Sequence, residues 1–307
     1  MTWNHVYSGT GEPREVQLPP APPWRRFPLQ SHGEVFQPPA GLVEAVNAAL
    51  WLRRPLLITG PPGSGKSTAI ESVAAELKLG DVLRWHITSR STLQDALYRY
   101  DVLGRIHAQQ IDPQQAKNDI ATFLRLGPLG TALAPREWPR ALLIDEIDKS
   151  DLDLPSDLLD VLERGTFEIP ELVRYEEPEV RIREWDGEGY QRILGGRVQC
   201  LEFPFIVMTS NGERDFPGPF LRRCIRFEMP TQTEPMLRQI VEAHLAQLPR
   251  SEELAELITD FTSRLESGQE LAVDQLLNAA HVLAERTMTE EQRAGLKKLL
   301  MRRLSGG

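Results

Sequence analysis

A parallel α/β sheet followed by an all-helical domain is the fold that these 307 residues predict. Three observations carry that expectation. Five short apolar segments are separated by helical patterns or long connections, as parallel strands require. Three of the five are continuous apolar runs and two alternate, which distinguishes central strands from edge strands. Beyond Pro230 only helical periodicities remain.

The expected strands are Pro55 to Thr59, Val82 to Thr88, Ala141 to Ile144, Phe205 to Met208 and Cys224 to Met229. LLI, ALLI and FIVM lack alternation, so these strands are covered on both faces. Leu83, Trp85 and Ile87 alternate with Arg84, His86 and Thr88, while Ile225, Phe227 and Met229 alternate with Arg226 and Glu228. Those two belong at the edges. Ahead of the first strand, Leu42, Val43, Val46, Ala49 and Leu50 recur at helical spacing. Residues 165 to 204 exceed what a crossover needs, and Thr166 to Ile169, Val180 to Arg183 and Val198 to Phe203 alternate between Glu- and Gly-rich turns. They predict hairpin-like insertions.

The helical region divides into four stripes. Leu237, Ile240, Val241, His244 and Leu245 make the first; Leu254, Leu257, Ile258, Phe261 and Leu265 the second; Leu271, Leu276, Leu277, Ala280 and Leu283 the third. The fourth opens on a capping-box pattern, Thr289 to Gln292, and is expected to turn Leu296, Leu299 and Leu300 inward. At the other end, eight of the 24 prolines fall within the first 40 residues. Fixed φ and missing N–H groups make this an extended arm, which Trp3, Trp24 and Phe27 either anchor to a surface or leave loose. The chain thus divides into an arm (1–40), an α/β domain (41–230) with its insertions, and a helical domain (231–307).

Composition bounds the function. There are 35 Lys and Arg against 44 Asp and Glu, a net charge of −9. Residues 141–180 hold 13 acidic and three basic residues, leaving 31 acidic and 32 basic elsewhere. No Lys/Arg-rich stripe offers the footprint a duplex-binding protein needs, so nucleic acid is an unlikely partner. The acidic run is either a partner-recruiting rim or a solvated face. No window of 18 apolar residues and no secretory leader pattern occur, so no membrane association and a cytoplasmic setting are expected. Two cysteines, Cys200 and Cys224, read as core residues, and the six histidines as structural or solvated.

The chemistry concentrates in two segments. GPPGSGKS, Gly60 to Ser67, follows an apolar strand and precedes the Ile70, Val73, Ala74, Leu77 helix, matching the phosphate-binding pattern in sequence and in context. Its residues, Gly60, Pro61, Pro62, Gly63, Ser64, Gly65, Lys66, Ser67 and the adjoining Thr68, are the expected ATP-binding set. Glycines let successive N–H groups converge on phosphates, Lys66 adds a point charge, and Ser67 offers a hydroxyl to Mg²⁺. The second segment is ALLIDEIDK, Ala141 to Lys149. Its strand delivers Asp145 to the metal shell and places Glu146 beside it to polarise water. An Asp-Glu pair favours hydrolysis over transfer to another acceptor. Asp148 and Lys149 are expected to face solvent or a neighbouring subunit.

Together with FLRLGPLGTAL (Phe123 to Leu133), LPSDLLDVLERGTFEIP (Leu154 to Pro170) and IVMTSNGERDFPGPFLRRC (Ile206 to Cys224), these segments resemble the AAA+ ATPase superfamily and, within it, the MoxR-type ATPases, over most of residues 40–285. The resemblance implies a P-loop NTPase sheet of order 5-1-4-3-2 with a helical lid domain, and ATP and Mg²⁺ as cofactors. It implies that Asn211 senses the γ-phosphate and that Arg222 or Arg223 acts as an arginine finger toward a neighbouring subunit. Comparison with the Ser-Arg-Cys pattern of clamp-loader relatives favours Arg223. Relatives carry an arginine at the start of the third lid helix, whereas Leu271 stands at or beside that position here. Leu97, Tyr98 and Tyr100 would face the ring's pore or, by the Leu93, Ala96, Leu97 stripe, belong to the core, the reading we favour.

Three functions follow from the resemblance. The first is a homo-oligomeric ring, expected to be a hexamer, that hydrolyses ATP to remodel or activate a client protein, with a partner bearing a von Willebrand factor A domain as in relatives. The second is a nucleotide-gated assembly scaffold with slow turnover. The third is a DNA-handling AAA+ motor.

Overall fold

The computed structural model describes residues 6–7, 9–13, 15–26, 36–111, 120–245, 252–269, 271–283 and 288–302. They form two compact units, one of Pro38–Thr59 and Ala69–Glu228, the other of Met1–Gln37, Gly60–Thr68 and Met229–Gly307. Among the described residues no helix is long and apolar enough to cross a membrane.

Within the first unit the strands, in chain order, are β1 (Leu56–Thr59), β2 (Leu83–His86), β3 (Tyr98–Tyr100), β4 (Leu124–Leu126), β5 (Ala141–Asp145), β6 (Thr166–Glu168), β7 (Glu179–Arg183), β8 (Tyr190–Leu194), β9 (Arg197–Gln199), β10 (Phe205–Ser210) and β11 (Ile225–Glu228). Helices α1 (Leu42–Leu52), α2 (Lys66–Glu76), α3 (Leu93–Leu97), α4 (Val102–Ile111), α5 (Pro128–Ala132), α6 (Leu154–Arg164), α7 (Pro170–Val173) and α8 (Gly218–Leu221) connect them. Five strands make a wholly parallel sheet of order β11-β1-β10-β5-β2, the expected 5-1-4-3-2. Burial matches the edge assignment: every residue of β10 is buried, whereas β2 alternates buried and exposed and β11 alternates half-buried and exposed. The core beneath it joins Leu57, Leu142, Ile144, Ile206 and Met208 to Leu154, Leu158 and Leu162 of α6. α6 stops where Gly165 turns left-handed at φ 60°.

The expected insertions form part of one six-stranded sheet, order β3-β4-β7-β8-β9-β6. Three of its strands match the alternating stretches. The others differ from the sequence expectation: β8 begins at Tyr190, where a turn is expected, because only Ile193 of its five residues is fully buried. β3 and β4 have three residues each, too few to show a period. Ala96, Leu97 and Tyr98 are buried, in keeping with a core role for this stretch. Cys224 is buried, and the half-buried Cys200 donates its S–H to the Glu202 carbonyl at 3.0 Å.

The second unit contains α9 (Glu234–His244), α10 (Glu252–Glu266), α11 (Val273–Leu283) and α12 (Glu290–Leu300), which bury Leu237, Val241, Leu257, Ile258, Phe261 and Leu276 together. The capping box is present: the Gln292 N–H donates to Thr289 Oγ1 at 3.3 Å, and the Thr289 N–H to Gln292 Oε1 at 3.1 Å. One inward residue is corrected. Leu296 and Leu300, four apart, share the half-buried face, and Leu299 falls off it, 66% exposed. Of the arm's anchors, Trp24 donates its indole N–H to Asn278 at 3.0 Å and meets His281 edge-on at 5.6 Å. Trp3 and Phe27 lie outside the described residues.

Burial pushes the Cys224 thiol up to about 12 and the Cys200 thiol to about 11. Both are therefore protonated and unreactive at pH 8, since the thiolate is the nucleophile. Titration with a thiol-exchange reagent is expected to find no fast-reacting group in the folded chain and two after unfolding in guanidinium.

Candidate functional site

β1 runs directly into the glycine-rich loop, and α2 starts at Lys66. Two glycines there are dictated by geometry. At Gly60 (φ 147°) a Cβ would stand 2.8 Å from the Met229 Cβ, and at Gly63 (φ 70°) 2.6 Å from the Ala272 Cβ. No larger residue keeps this loop against the start of α11. Lys66 is 7% exposed and donates its ammonium protons to the Gly60 and Pro61 carbonyls at 2.7 and 2.8 Å. The Thr68 N–H bonds to the Gly65 carbonyl at 3.1 Å, and Ser67 and Thr68 are half-buried in the first turn of α2. Pro61, Pro62 and Gly63 are exposed. Ser64 is buried, and its Oγ has no partner among the described residues. A buried hydroxyl without a partner, inside a loop that only glycine can trace, fits a ligand rich in acceptor oxygens.

The carboxylates sit at the C-terminal end of β5, beside its neighbour β10. Asp145 closes β5, and Thr209 Oγ1 donates to its Oδ1 at 2.5 Å. The same hydroxyl oxygen accepts the Glu146 N–H at 2.9 Å. Glu146 is left-handed, at φ 61° and ψ 48°, a conformation that costs a non-glycine residue about 1–3 kcal/mol and must be held by its surroundings. Its carboxylate is ringed by Lys149 Nζ at 2.9 Å, Asn211 Nδ2 at 3.4 Å and His86 Nε2 at 3.6 Å. The hydrogen bond to Glu146 raises the Lys149 pKa above the ordinary lysine value.

One sequence expectation changes here. Asp148 does not face solvent: it is 5% exposed, and its Oδ2 accepts the N–H groups of Asn211 at 2.9 Å and Glu213 at 3.2 Å, fixing the turn after β10. Lys149 is exposed, as expected, and its ammonium turns onto its own chain's Glu146. His86 is solvent-exposed yet aimed at the same carboxylate. Arg214 ties that turn to the segment after Lys149, donating to the Ser150 carbonyl at 2.7 Å and the Asp151 carbonyl at 3.1 Å.

Arg223 forks onto Glu163 of α6 and also donates to the Pro219 carbonyl at 3.2 Å. That pairing raises the Arg223 pKa and lowers that of Glu163. Arg222 is exposed, its carbonyl accepting from Arg54 at 3.2 Å. Leu271 is buried in the helical core at 5% exposure, so no cation stands at that position, immediately before Ala272.

Residues 55–218, more than half of the chain, match the AAA domain of the dynein-related subfamily. The chain belongs to this family. AAA membership covers the glycine-rich loop, Asp145, Glu146 and Asn211 and stops short of Arg222 and Arg223, and it supports the AAA+ resemblance drawn from the motifs. No curated protein matches the chain. Among solved structures, domain III of the Thermotoga maritima replication initiation protein DnaA is similar at 15% identity with a TM-score of 0.45, covering 88% of this chain and 96% of that one.

Sequence reasoning missed Thr209, His86 and the partners of Asp148. Thr209 was accessible in principle, because it is the first hydroxyl after the apolar run of β10 and lies beside the acidic strand end. Replacing it with valine orphans the Glu146 N–H and should destabilise the chain by about 1–3 kcal/mol. Thr209→Ser should stay close to wild type. Denaturant midpoints of the two variants check this.

Proposed function

We propose that this AAA-domain protein is a MoxR-type ATPase that acts as a cytoplasmic homo-oligomeric ring, converting ATP and water to ADP and phosphate and using the cycle to remodel or activate a partner protein. The observation that carries the proposal is the carboxylate of Glu146, held between Asn211 and Lys149 beside an Asp145 whose orientation Thr209 sets. A single carboxylate would suffice to bind metal; a second, hydrogen-bonded to an amide, suits activation of water. Gly60 to Thr68 bind the phosphates: the loop N–H groups and Ser64 Oγ donate to them, and Lys66 leaves its two carbonyl partners for the β- and γ-oxygens. Ser67 and Asp145 would hold Mg²⁺, which when bound neutralises charge developing on the transferred phosphoryl group. Glu146 takes the proton of the attacking water as the oxygen bonds to the γ-phosphorus and the bond to ADP breaks. Asn211 orients that water or the γ-oxygens.

Arg223 is our favoured finger toward a neighbouring copy, with Arg222 beside it. Its fork on Glu163 stores the guanidinium at the surface until an adjoining site offers phosphate, a better bidentate acceptor. A partner with a von Willebrand factor A domain fits the same reading. The slow scaffold is a second reading, favoured by the buried Leu271 at the place of the lid arginine.

Lys66→Ala should abolish nucleotide binding, read by a fluorescent ATP analogue. Glu146→Gln should bind ATP and lose two or more decades of turnover. Specific ATPase activity of the wild type should rise steeply with protein concentration as copies assemble; flat and negligible turnover assigns the scaffold. Neither Arg223→Ala nor Lys66→Ala alone should turn over, whereas their mixture should regain activity at hybrid interfaces if the finger acts in trans.

A further inference from the structure

The outer face of the six-stranded sheet carries a charge pattern that the linear sequence conceals. Its pleat puts Arg99 of β3, Arg125 of β4, Arg181 and Arg183 of β7, Arg192 of β8 and Arg197 of β9 on the exposed side, above the buried Tyr98, Leu124, Leu126, Val180, Ile182, Ile193 and Val198, with Arg125 donating to the Glu184 and Trp185 carbonyls, Arg183 to that of Gly187 and Arg197 to Thr166 Oγ1. Register then aligns them. Arg99 stands opposite Arg125, Arg125 opposite Arg183, and Arg181 opposite Arg192. Like charges directly opposed on neighbouring strands destabilise a sheet. A chain with net charge −9 has no need of such an arrangement for folding.

The surrounding acids do not cancel it. Among the described residues only Arg192 of the six pairs with a carboxylate, that of Glu179 at 2.5 Å. Glu168 lies opposite Arg197 at the far end of the sheet. Glu184 and Asp186, close to these arginines in sequence, turn to Arg136 and Arg140 instead, each at 2.5 Å. Glu176, Glu177 and Glu188 sit in the turns before and after β7. Two aromatic rings complete the face. Arg99 and Arg125 lie over Trp185 at 4.9 and 5.4 Å, and Arg181 lies 5.7 Å from the ring of Tyr190, which is 53% exposed and paired opposite Arg183.

We propose that this face binds single-stranded nucleic acid, with phosphates on the guanidinium rows and a base on Tyr190. Strands about 4.8 Å apart make the Arg99, Arg125, Arg183 row about 10 Å long, which spans roughly three nucleotides at 3.4 Å each. An arginine face with an exposed ring matches a ligand that alternates phosphate with a flat base, as stacking platforms do. An acidic polypeptide would use the charges and leave the ring idle. Reading bases in a duplex requires an element projecting into a groove, and this face is a sheet surface. The proposal replaces the expectation, drawn from linear charge counts, that nucleic acid is an unlikely partner. It is independent of ATP hydrolysis, involving neither Lys66 nor Glu146.

The test uses the full chain without nucleotide and a labelled, mixed-sequence 20-nucleotide single-stranded DNA, followed by anisotropy across a salt series. The logarithm of affinity should fall against the logarithm of salt with a slope of about −2 to −4, from roughly 0.7 per phosphate contact. The combined Arg99→Gln, Arg181→Gln, Arg183→Gln variant should weaken binding at least tenfold and reduce the slope by about 2. Its melting temperature should be unchanged or higher, since opposed charges are removed. If that variant does not fold, Arg181→Gln with Arg183→Gln should lose about two thirds as much slope. Tyr190→Ala should weaken binding about tenfold, and Tyr190→Phe should not. The matched control, Arg90→Gln, Arg226→Gln and Arg238→Gln, should bind like wild type. Absence of binding at 50 mM salt, equal loss in face and control variants, tighter binding of the matching duplex, or equal binding of poly-glutamate would each overturn the proposal, the last assigning the face to an acidic protein.

Discussion

One hydroxyl organises the acidic end of the parallel sheet. Thr209 donates to Asp145 and accepts the N–H of Glu146, so a single side chain on β10 fixes the orientation of one carboxylate and the backbone of the next. The left-handed geometry of Glu146 follows from this constraint. Without that turn the side chain would continue the alternation of β5, and its carboxylate could not reach Asn211 and Lys149 together. Asp148 completes the construction from below, buried and binding the two N–H groups that shape the turn carrying Asn211. Four consecutive residues of one segment thus serve different ends: a strand terminus, a strained turn, an apolar plug and a buried clamp.

Which strands of the parallel sheet are central and which are edges was legible because burial on two faces and burial on one leave different periods, while their full order came from the family resemblance. FIVM had to be central and Leu83-Arg84-Trp85-His86 had to be an edge, whatever the connections. The glycine-rich loop was legible for a related reason, since its backbone excludes side chains at Gly60 and Gly63 and those exclusions are written as glycine. Short strands were not. β3 and β4 give three residues each, and a period needs more. Asp148 was misjudged because an acid in an acidic run looks solvated until its two N–H donors are known, and both come from residues more than 60 positions away.

The arginine face shows the same limit at larger scale. In sequence, residues 181–200 interleave basic and acidic side chains, and the count is unremarkable. Pleating sends Glu184 inward while Arg181 and Arg183 point outward, and pairing of β3, β4, β7 and β8 gathers arginines up to 93 positions apart onto one face. Electrostatic character is therefore a property of register here. Stripes on a helix can be counted from sequence alone, but charge on a sheet built from distant strands cannot.

The indole of Trp24 gives the proline-rich arm a point of purchase on α11. Prolines surrender little conformational freedom on docking, so one hydrogen bond and one ring contact are enough to seat Pro22 to Arg25. A chain shortened past that tryptophan would lose both the hydrogen bond to Asn278 and the edge-on contact with His281.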